Sequence, residues 1–327
     1  MGYKCAYVHA EWADTGPTGD VTPEKRCFYD AVRADIAARP LQPRKCRRYG
    51  TRLCQHWSTV GCDSNEDTVS QDAHASRRRR QSPAPLAVPT AASWTVLIVG
   101  ASRGIGRDLA RAYASAGASV HVTVRTLQST SVLVAEFPAE ITVHVLDVLN
   151  SAQLLALAAT FDAHGTAIDL LVTVAGINKG TFELQKRVNA NAPFKVIEAL
   201  LPAVRRSRTR RVGVVTSDLG RTSWIAQYRK NRFRGRVKGC EEDDGICAYA
   251  LSKLLANQRF RELEPEWRRI GVTAVALQPG YVTDMNGGKG PVSPSESAHG
   301  LRKVLSGDMT GIGGQFVDYT GKVLSWQ

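Results

Sequence analysis

The stretch Tyr249-Ala250-Leu251-Ser252-Lys253 pairs a phenol with an ammonium four residues apart. On a helix that spacing puts both groups on one face, one turn apart. A phenol whose ordinary pKa is about 10 is a poor proton carrier at neutral pH. A cation one turn away favours the phenolate, so the pairing predicts a lowered Tyr249 pKa and a usable general acid or base. Taken singly the spacing is as well explained by chance, because any long helix can contain it. A second group is Gly100, Gly104 and Gly106, spaced G-x-x-x-G-x-G with Ser102, Arg103 and Ile105 among them. Glycines at that spacing let backbone N–H groups and the positive end of a helix approach a pyrophosphate, where side chains would block the way. An ordinary glycine turn in another α/β protein is the alternative for the glycines alone.

The elements around these residues decide what they can reach. Residues 94–99 run apolar without interruption, as in a strand buried on both faces of a parallel sheet. After the glycines, Leu109, Ala110, Tyr113 and Ala114 follow a helical period that Gly117 ends. Further strands are predicted at 119–124, 141–146, 169–174, 212–216, 272–277 and 315–317. Helices are predicted at 152–161, 186–201, 247–263 and 295–305, and irregular basic sequence over 221–244. Strands separated by helix-length segments predict an α/β doubly wound (Rossmann) parallel sheet with helices on both faces. In such a sheet ligands bind beyond the carboxyl ends of the strands. Arg125, Asp147-Val148, Ala175-Gly176, Ser217 and Pro279-Gly280 all fall at such ends.

A chain of 327 residues with 43% hydrophobic content can bury one large domain and carry an appendage. Residues 1–92 mix basic clusters, a polar acidic stretch and a Pro/Ala segment, and are expected to form a disordered basic extension. Residues 93–327 form the expected dinucleotide-binding domain. A net charge of +13 suits nucleic acid or a pocket for a phosphorylated cofactor. The run Arg77–Arg80 reads as solvated charge, and no nucleic-acid motif or aromatic stacking pattern accompanies it. No apolar run of about 20 residues is present to span a membrane. The first sixteen residues lack the apolar centre of a secretory signal. Seven cysteines without C-x-x-C or zinc-ligand spacing predict no metal site and a reduced, cytoplasmic setting.

In chain order the sequence presents Gly100-x-x-x-Gly104-Ile105-Gly106, Asp147-Val148, Ala175-Gly176-Ile177, Val188-Asn189, Val214-Val215-Thr216-Ser217, Tyr249-x-x-x-Lys253 and Pro279-Gly280-Tyr281-Val282-Thr283-Asp284-Met285. This set resembles the short-chain dehydrogenase/reductase family over residues 93–327. Residues 283–288 and Val317-Asp318-Tyr319-Thr320-Gly321 look most like its carbonyl-reductase branch, with sniffer and the C-factor-like signalling proteins. The resemblance implies that Tyr249 gives a proton to a carbonyl, that Lys253 lowers its pKa and holds the nicotinamide ribose, and that Ser217 hydrogen-bonds the substrate oxygen. Asn189 would anchor a water in the proton relay. Pro279, Gly280, Val282 and Thr283 would cover the nicotinamide, Asp147 and Val148 would border the adenine, and Ala175 and Gly176 would line the cofactor. Plainer roles stay open: Ser217 as a strand end, Asn189 as a polar helix residue, Asp147 as a helix cap. The implied partner is a small ketone or aldehyde, and homodimer and monomer both stay open. The alternative is an NAD(P)-binding signalling protein with little turnover.

Cofactor choice follows from charge. An NAD site needs a carboxylate at the end of the second strand for the ribose 2′-OH. Here the strand ends Val124-Arg125-Thr126, and Arg103 adds a second guanidinium, which suits the 2′-phosphate of NADP(H). Three departures from the family pattern stand out. Thr173-Val174 occupies the place of the family's paired asparagines. Only twelve residues separate Gly176 from Asn189, and 31 separate Ser217 from Tyr249. The longer gap contains the basic insertion, a candidate lid, a partner-binding segment or a segment with no role.

Overall fold

The computed structural model describes residues 93–233 (side chains to 227), 245–283 and 290–327. The expected extension over 1–92, the second part of the insertion (234–244) and residues 284–289 lie outside this description. Eight strands form one sheet: β1 Thr95–Val99, β2 Ser119–Val124, β3 Ile141–Val145, β4 Leu170–Thr173, β5 Arg211–Val215, β6 Thr273–Gln278, β7 Phe316–Asp318 and β8 Val323–Leu324. Their order is β3-β2-β1-β4-β5-β6-β7-β8. The first seven are parallel, and β8 closes the edge antiparallel to β7. This is the expected doubly wound sheet, with a terminal two-residue strand too short to leave a pattern in the sequence.

The helices are α1 Gly104–Ala114, α2 Ser131–Glu136, α3 Ser151–Ala163, α4 Phe182–Gln185, α5 Ala192–Arg206, α6 Thr222–Phe233, α7 Gly245–Arg269 and α8 Pro294–Ser306. The pleat of β1 explains the layers. Val96 and Ile98 join a core with Leu109, Tyr113 and Leu301 from α1 and α8. Leu97 and Val99 point to the other face, into a core with Leu157, Ile197 and Phe260 from α3, α5 and α7. Alternate residues of one strand thus bury opposite ways, which is why Val96–Val99 has no polar member.

The helix α2 was not expected, α7 runs on to Arg269 past the expected 263, and two further differences bear on the insertion and the site. Thr222–Phe233 is helical, so the described part of the basic insertion is not irregular. Its charged residues broke the apolar period on which the expectation of irregularity rested. The helix expected at 186–201 instead runs from α4 to α5 through a π turn at Lys186–Asn191. Such turns insert one extra residue and recur at functional sites. This one carries Asn189.

Candidate active site

The strand order reverses between β1 and β4, and the cleft opens there. Gly100 leaves β1 at φ +96°, and a Cβ on it would stand 2.7 Å from the Ala175 backbone at the end of β4. Its N–H donates to the Thr123 carbonyl at 3.2 Å and to Thr123 Oγ1 at 3.1 Å. Gly106, one turn into α1, faces the Gly100 carbonyl oxygen so closely that a Cβ would stand 2.1 Å from it. Arg103 precedes α1 in extended conformation with no side-chain cap on the helix, so the first N–H groups meet the cleft with no side chain over them.

The cleft holds about 760 Å³. One end is walled by Ser102, Arg103, Gly104, Ile105, Arg125, Asp147 and Val148. The other is walled by Gly176, Tyr249, Lys253, Pro279 and Val282, with Gly100, Gly106 and Ala175 between. These elements are distant in sequence; most meet because they follow strand ends at the same edge of the sheet, and α7 brings Tyr249 and Lys253 against that edge. The residues present fit a dinucleotide on three counts. Gly100 and Gly106 leave no room for a Cβ, so β1, α1 and the end of β4 pack closely at the turn; the helix N-terminus is uncapped; and two guanidinium groups line the cleft on the β1–β2 side, away from Tyr249. Asp147 also accepts from the Leu149 N–H at 2.9 Å, so it shapes its own turn while lining the cleft.

Four expected site residues stand behind the wall. Thr283 turns its hydroxyl to the carbonyls of Gly290 (3.0 Å) and Val292 (2.9 Å). Gly280, at φ +89°, lets the Tyr319 ring approach a would-be Cβ to 3.0 Å. Asn189 is buried and clamps the residue after Gly176. Its Oδ1 accepts from the Ile177 N–H at 2.9 Å, and its Nδ2 donates to the Ile177 carbonyl at 2.7 Å and to Ser252 Oγ at 2.9 Å. Ser252 in turn donates to the Tyr249 carbonyl at 2.7 Å. The polar atoms of Asn189 are therefore committed to backbone and helix. Ser217 follows β5, accepts from the Leu219 N–H at 3.2 Å and hydrogen-bonds the Tyr249 hydroxyl.

Lys253 is 4% exposed, and burial pushes its ammonium down to about 8. It donates to the Val215 carbonyl at 3.1 Å and lies 5.7 Å from the centre of the Tyr249 ring. Tyr249 departs from expectation. Burial pushes its phenol up, the Ser217 hydrogen bond opposes this, and Asp218 pushes the same way as burial. Lys253 does not overcome the desolvation of the phenolate, because its own charge is weakened by the same burial. A protonated phenol is nonetheless what a general acid needs.

Several site residues carry no motif. Thr123 pins Gly100, Ser252 ties Asn189 to α7, and Lys179 and Leu184 line the cleft. Ser252 lies inside the Tyr-to-Lys spacing and was discoverable from it, whereas the others needed the fold. Thr173, in place of an asparagine, is buried with its Oγ1 unpartnered among the described residues. Cys247, buried at the start of α7, is disulfide-bonded, which corrects the expectation of wholly reduced thiols at this position. No described helix is long and apolar enough to cross a membrane, and the described residues contain no metal-ligating cluster.

The short chain dehydrogenase family matches residues 94–228. The C-signal protein of Myxococcus xanthus is 31% identical over 140 residues, 42% of this chain and 75% of that protein. A solved NADPH-bound carbonyl reductase from chicken fatty liver superposes with a TM-score of 0.61 at 25% identity, covering 71% of this chain and 98% of that one. The carbonyl reductase Sniffer of D. melanogaster shares the fold, with a TM-score of 0.59 at 22% identity over 71% of this chain and 99% of its own.

Proposed function

Because the chain belongs to the short-chain dehydrogenase/reductase family, we propose that it is an NADPH-dependent reductase that turns a ketone or aldehyde into an alcohol. One observation carries the reading: Tyr249 and Lys253, with Ser217 hydrogen-bonded to the Tyr249 hydroxyl behind them, line a single cleft on the β5 side of the strand-order reversal, and Arg103 with Arg125 line it on the β1–β2 side. In this reading Gly100, Gly104 and Gly106 and the start of α1 hold the pyrophosphate. Arg103 and Arg125 hold the 2′-phosphate, and Lys253 the nicotinamide ribose. When bound, the reduced nicotinamide supplies a hydride. Ser217 Oγ–H donates to the substrate carbonyl oxygen and orients it. Tyr249 Oη transfers its proton to that oxygen, forming the hydroxyl and leaving a phenolate beside Lys253. Asn189 acts at one remove, fixing Ile177 and, through Ser252, the Tyr249 turn of α7.

NADPH oxidation against a panel of aldehydes, ketones and quinones tests this reading, with Tyr249→Phe alongside. Loss of the acid costs about 10²–10⁴-fold in turnover, with cofactor affinity kept. Parent-like turnover in Tyr249→Phe refutes the assignment. A second reading, a cofactor-binding signalling protein with little turnover, draws on the similarity to C-signal and on the unpartnered Thr173 hydroxyl. NADPH binding without reduction of any carbonyl supports it.

A further inference from the structure

Asp218 follows Ser217 directly and opens a single 3₁₀ turn, Asp218–Gly220. Its carboxylate is not left to solvent. Gln278 Nε2 donates to Asp218 Oδ1 at 2.8 Å, and the Asp218 N–H donates back to Gln278 Oε1 at 3.3 Å. Gln278 is 9% exposed and is the last residue of β6, so the reciprocal pair joins the Ser217 turn to the strand that leads into Pro279. Pro279 is itself held by Ser297 Oγ, which donates to its carbonyl at 2.6 Å. Two walls of the cleft are thereby tied together at one carboxylate.

The same Asp218 oxygen lies 3.5 Å from Ser217 Oγ, at the outer limit of a hydrogen bond. A serine has one proton to give. Directed at Asp218 before substrate arrives, it leaves Ser217 Oγ as an acceptor for the Tyr249 hydroxyl, and the long 3.5 Å contact lets that proton swing to a carbonyl oxygen when one enters. Near the phenol, α7 contributes Lys253 and the turn after β5 contributes Asp218, while Lys179, in the loop after β4, lines the same cleft. Asp218 is the negative member of that set.

We propose that Asp218, clamped by Gln278, is a positioning residue that orients Ser217 and keeps Tyr249 a proton donor. The site thereby favours carbonyl reduction over alcohol oxidation, which needs the phenolate as base. Burial and Asp218 act in the same direction on the phenol, which agrees with this role. The kinetic consequence rests on the reductase reading, whereas the ionisation of Tyr249 does not.

The experiment uses the full chain with Asp218→Asn and Asp218→Ser, each removing the charge, so that one serves if the other fails to fold. Tyrosinate absorbance is followed against pH over the range in which circular dichroism stays native, with Tyr249→Phe subtracted to isolate that phenol. A neighbouring carboxylate, partly screened, is worth about one pH unit. Tyr249 in both variants is expected to ionise at least that much lower than in the parent. The alkaline limb of kcat for carbonyl reduction should move down with it while KM for NADPH stays put. Coincident titration curves in parent and variants overturn the proposal. A changed KM for NADPH with an unmoved limb also overturns it, since that marks a merely structural role. Absence of turnover in the parent refutes the reductase reading alone, and the absorbance titration still decides the role of Asp218.

Discussion

Gly106→Ala tests the cofactor cradle with a single methyl group. A Cβ there stands 2.1 Å from the Gly100 carbonyl oxygen, 3.0 Å from its carbon and 3.2 Å from Ala101 Cα. Non-bonded heavy atoms settle at about 3.5 Å, so α1 and the end of β1 must part by more than about 1 Å. Neither side yields easily. The Gly100 N–H is held by Thr123, and α1 is anchored by the fully buried Leu109 and Tyr113. Overpacking of this kind costs about 1–3 kcal/mol, which in a domain of this size lowers Tm by about 2–12 °C. The same displacement misplaces the N–H groups at the start of α1. Loss of one charge-assisted hydrogen bond, about 1.5–3 kcal/mol, weakens NADPH binding by about 10- to 150-fold. Thermal unfolding with and without NADPH measures the first effect, and fluorescence titration of NADPH the second. Gly311→Ala is the control, because nothing lies within 4 Å of a Cβ there. A Tm and an NADPH affinity both matching the parent would refute the cradle, and a lowered Tm with unchanged affinity would remove it from the cofactor site.

Arg103→Ala and Arg125→Ala should each weaken NADPH binding at least tenfold and leave NADH nearly unaffected, as paired titrations of the two cofactors will report; equal affinities of the parent for both cofactors sink the NADP(H) preference. The Lys253 ammonium, lowered by burial to about 8, is charged below that pH and lost as pH rises through it. NADPH affinity of the parent should therefore fall across pH 8, and a Lys253→Met variant, measured in the same buffers, should bind weakly with no such dependence. Because the Lys253 pKa is lower folded than unfolded, the charged form costs stability below pH 8 and that cost is relieved between pH 8 and 10.5. Lys253→Met should accordingly narrow its Tm difference from the parent, or reverse it in the parent's favour, as pH rises through that window. Asn189→Leu leaves the Ile177 N–H and carbonyl without the clamp at about 1–3 kcal/mol per buried group; calorimetry should show a lower Tm, and a value equal to the parent's would mean the clamp is dispensable.

The sheet was legible because its signal is local and repeated. Unbroken apolar runs such as Val96–Val99 and Leu170–Val172, each followed by a polar or glycine break, mark β1 and β4 as buried on both faces, whereas β2 and β3 show as short β-branched stretches that alternate with His and Thr. The cleft residues were legible for the same reason, since each break is a strand end and strand ends share one edge. The helix Thr222–Phe233 was not legible, because its first half is uncharged, its second half is dominated by Arg229, Lys230 and Arg232, and no apolar stripe runs its length. The π turn at Lys186–Asn191 was equally hidden, for it changes hydrogen-bond register without changing composition.

Composition and spacing by themselves determined the doubly wound sheet, the glycine cradle, the Tyr249–Lys253 pairing and the two arginines in place of a carboxylate. These rest on period, residue size and charge, which a linear chain displays directly. The tertiary structure alone decided which charge acts on the phenol. The sequence places Lys253 one turn from Tyr249 and predicts a lowered pKa, yet both are buried together, and desolvation outweighs a cation itself weakened by burial. Asp218 and Gln278, 60 residues apart, meet only because β5 and β6 are neighbours in the sheet. Burial and long-range pairing depend on what the rest of the chain packs around a group, and no local pattern carries that information.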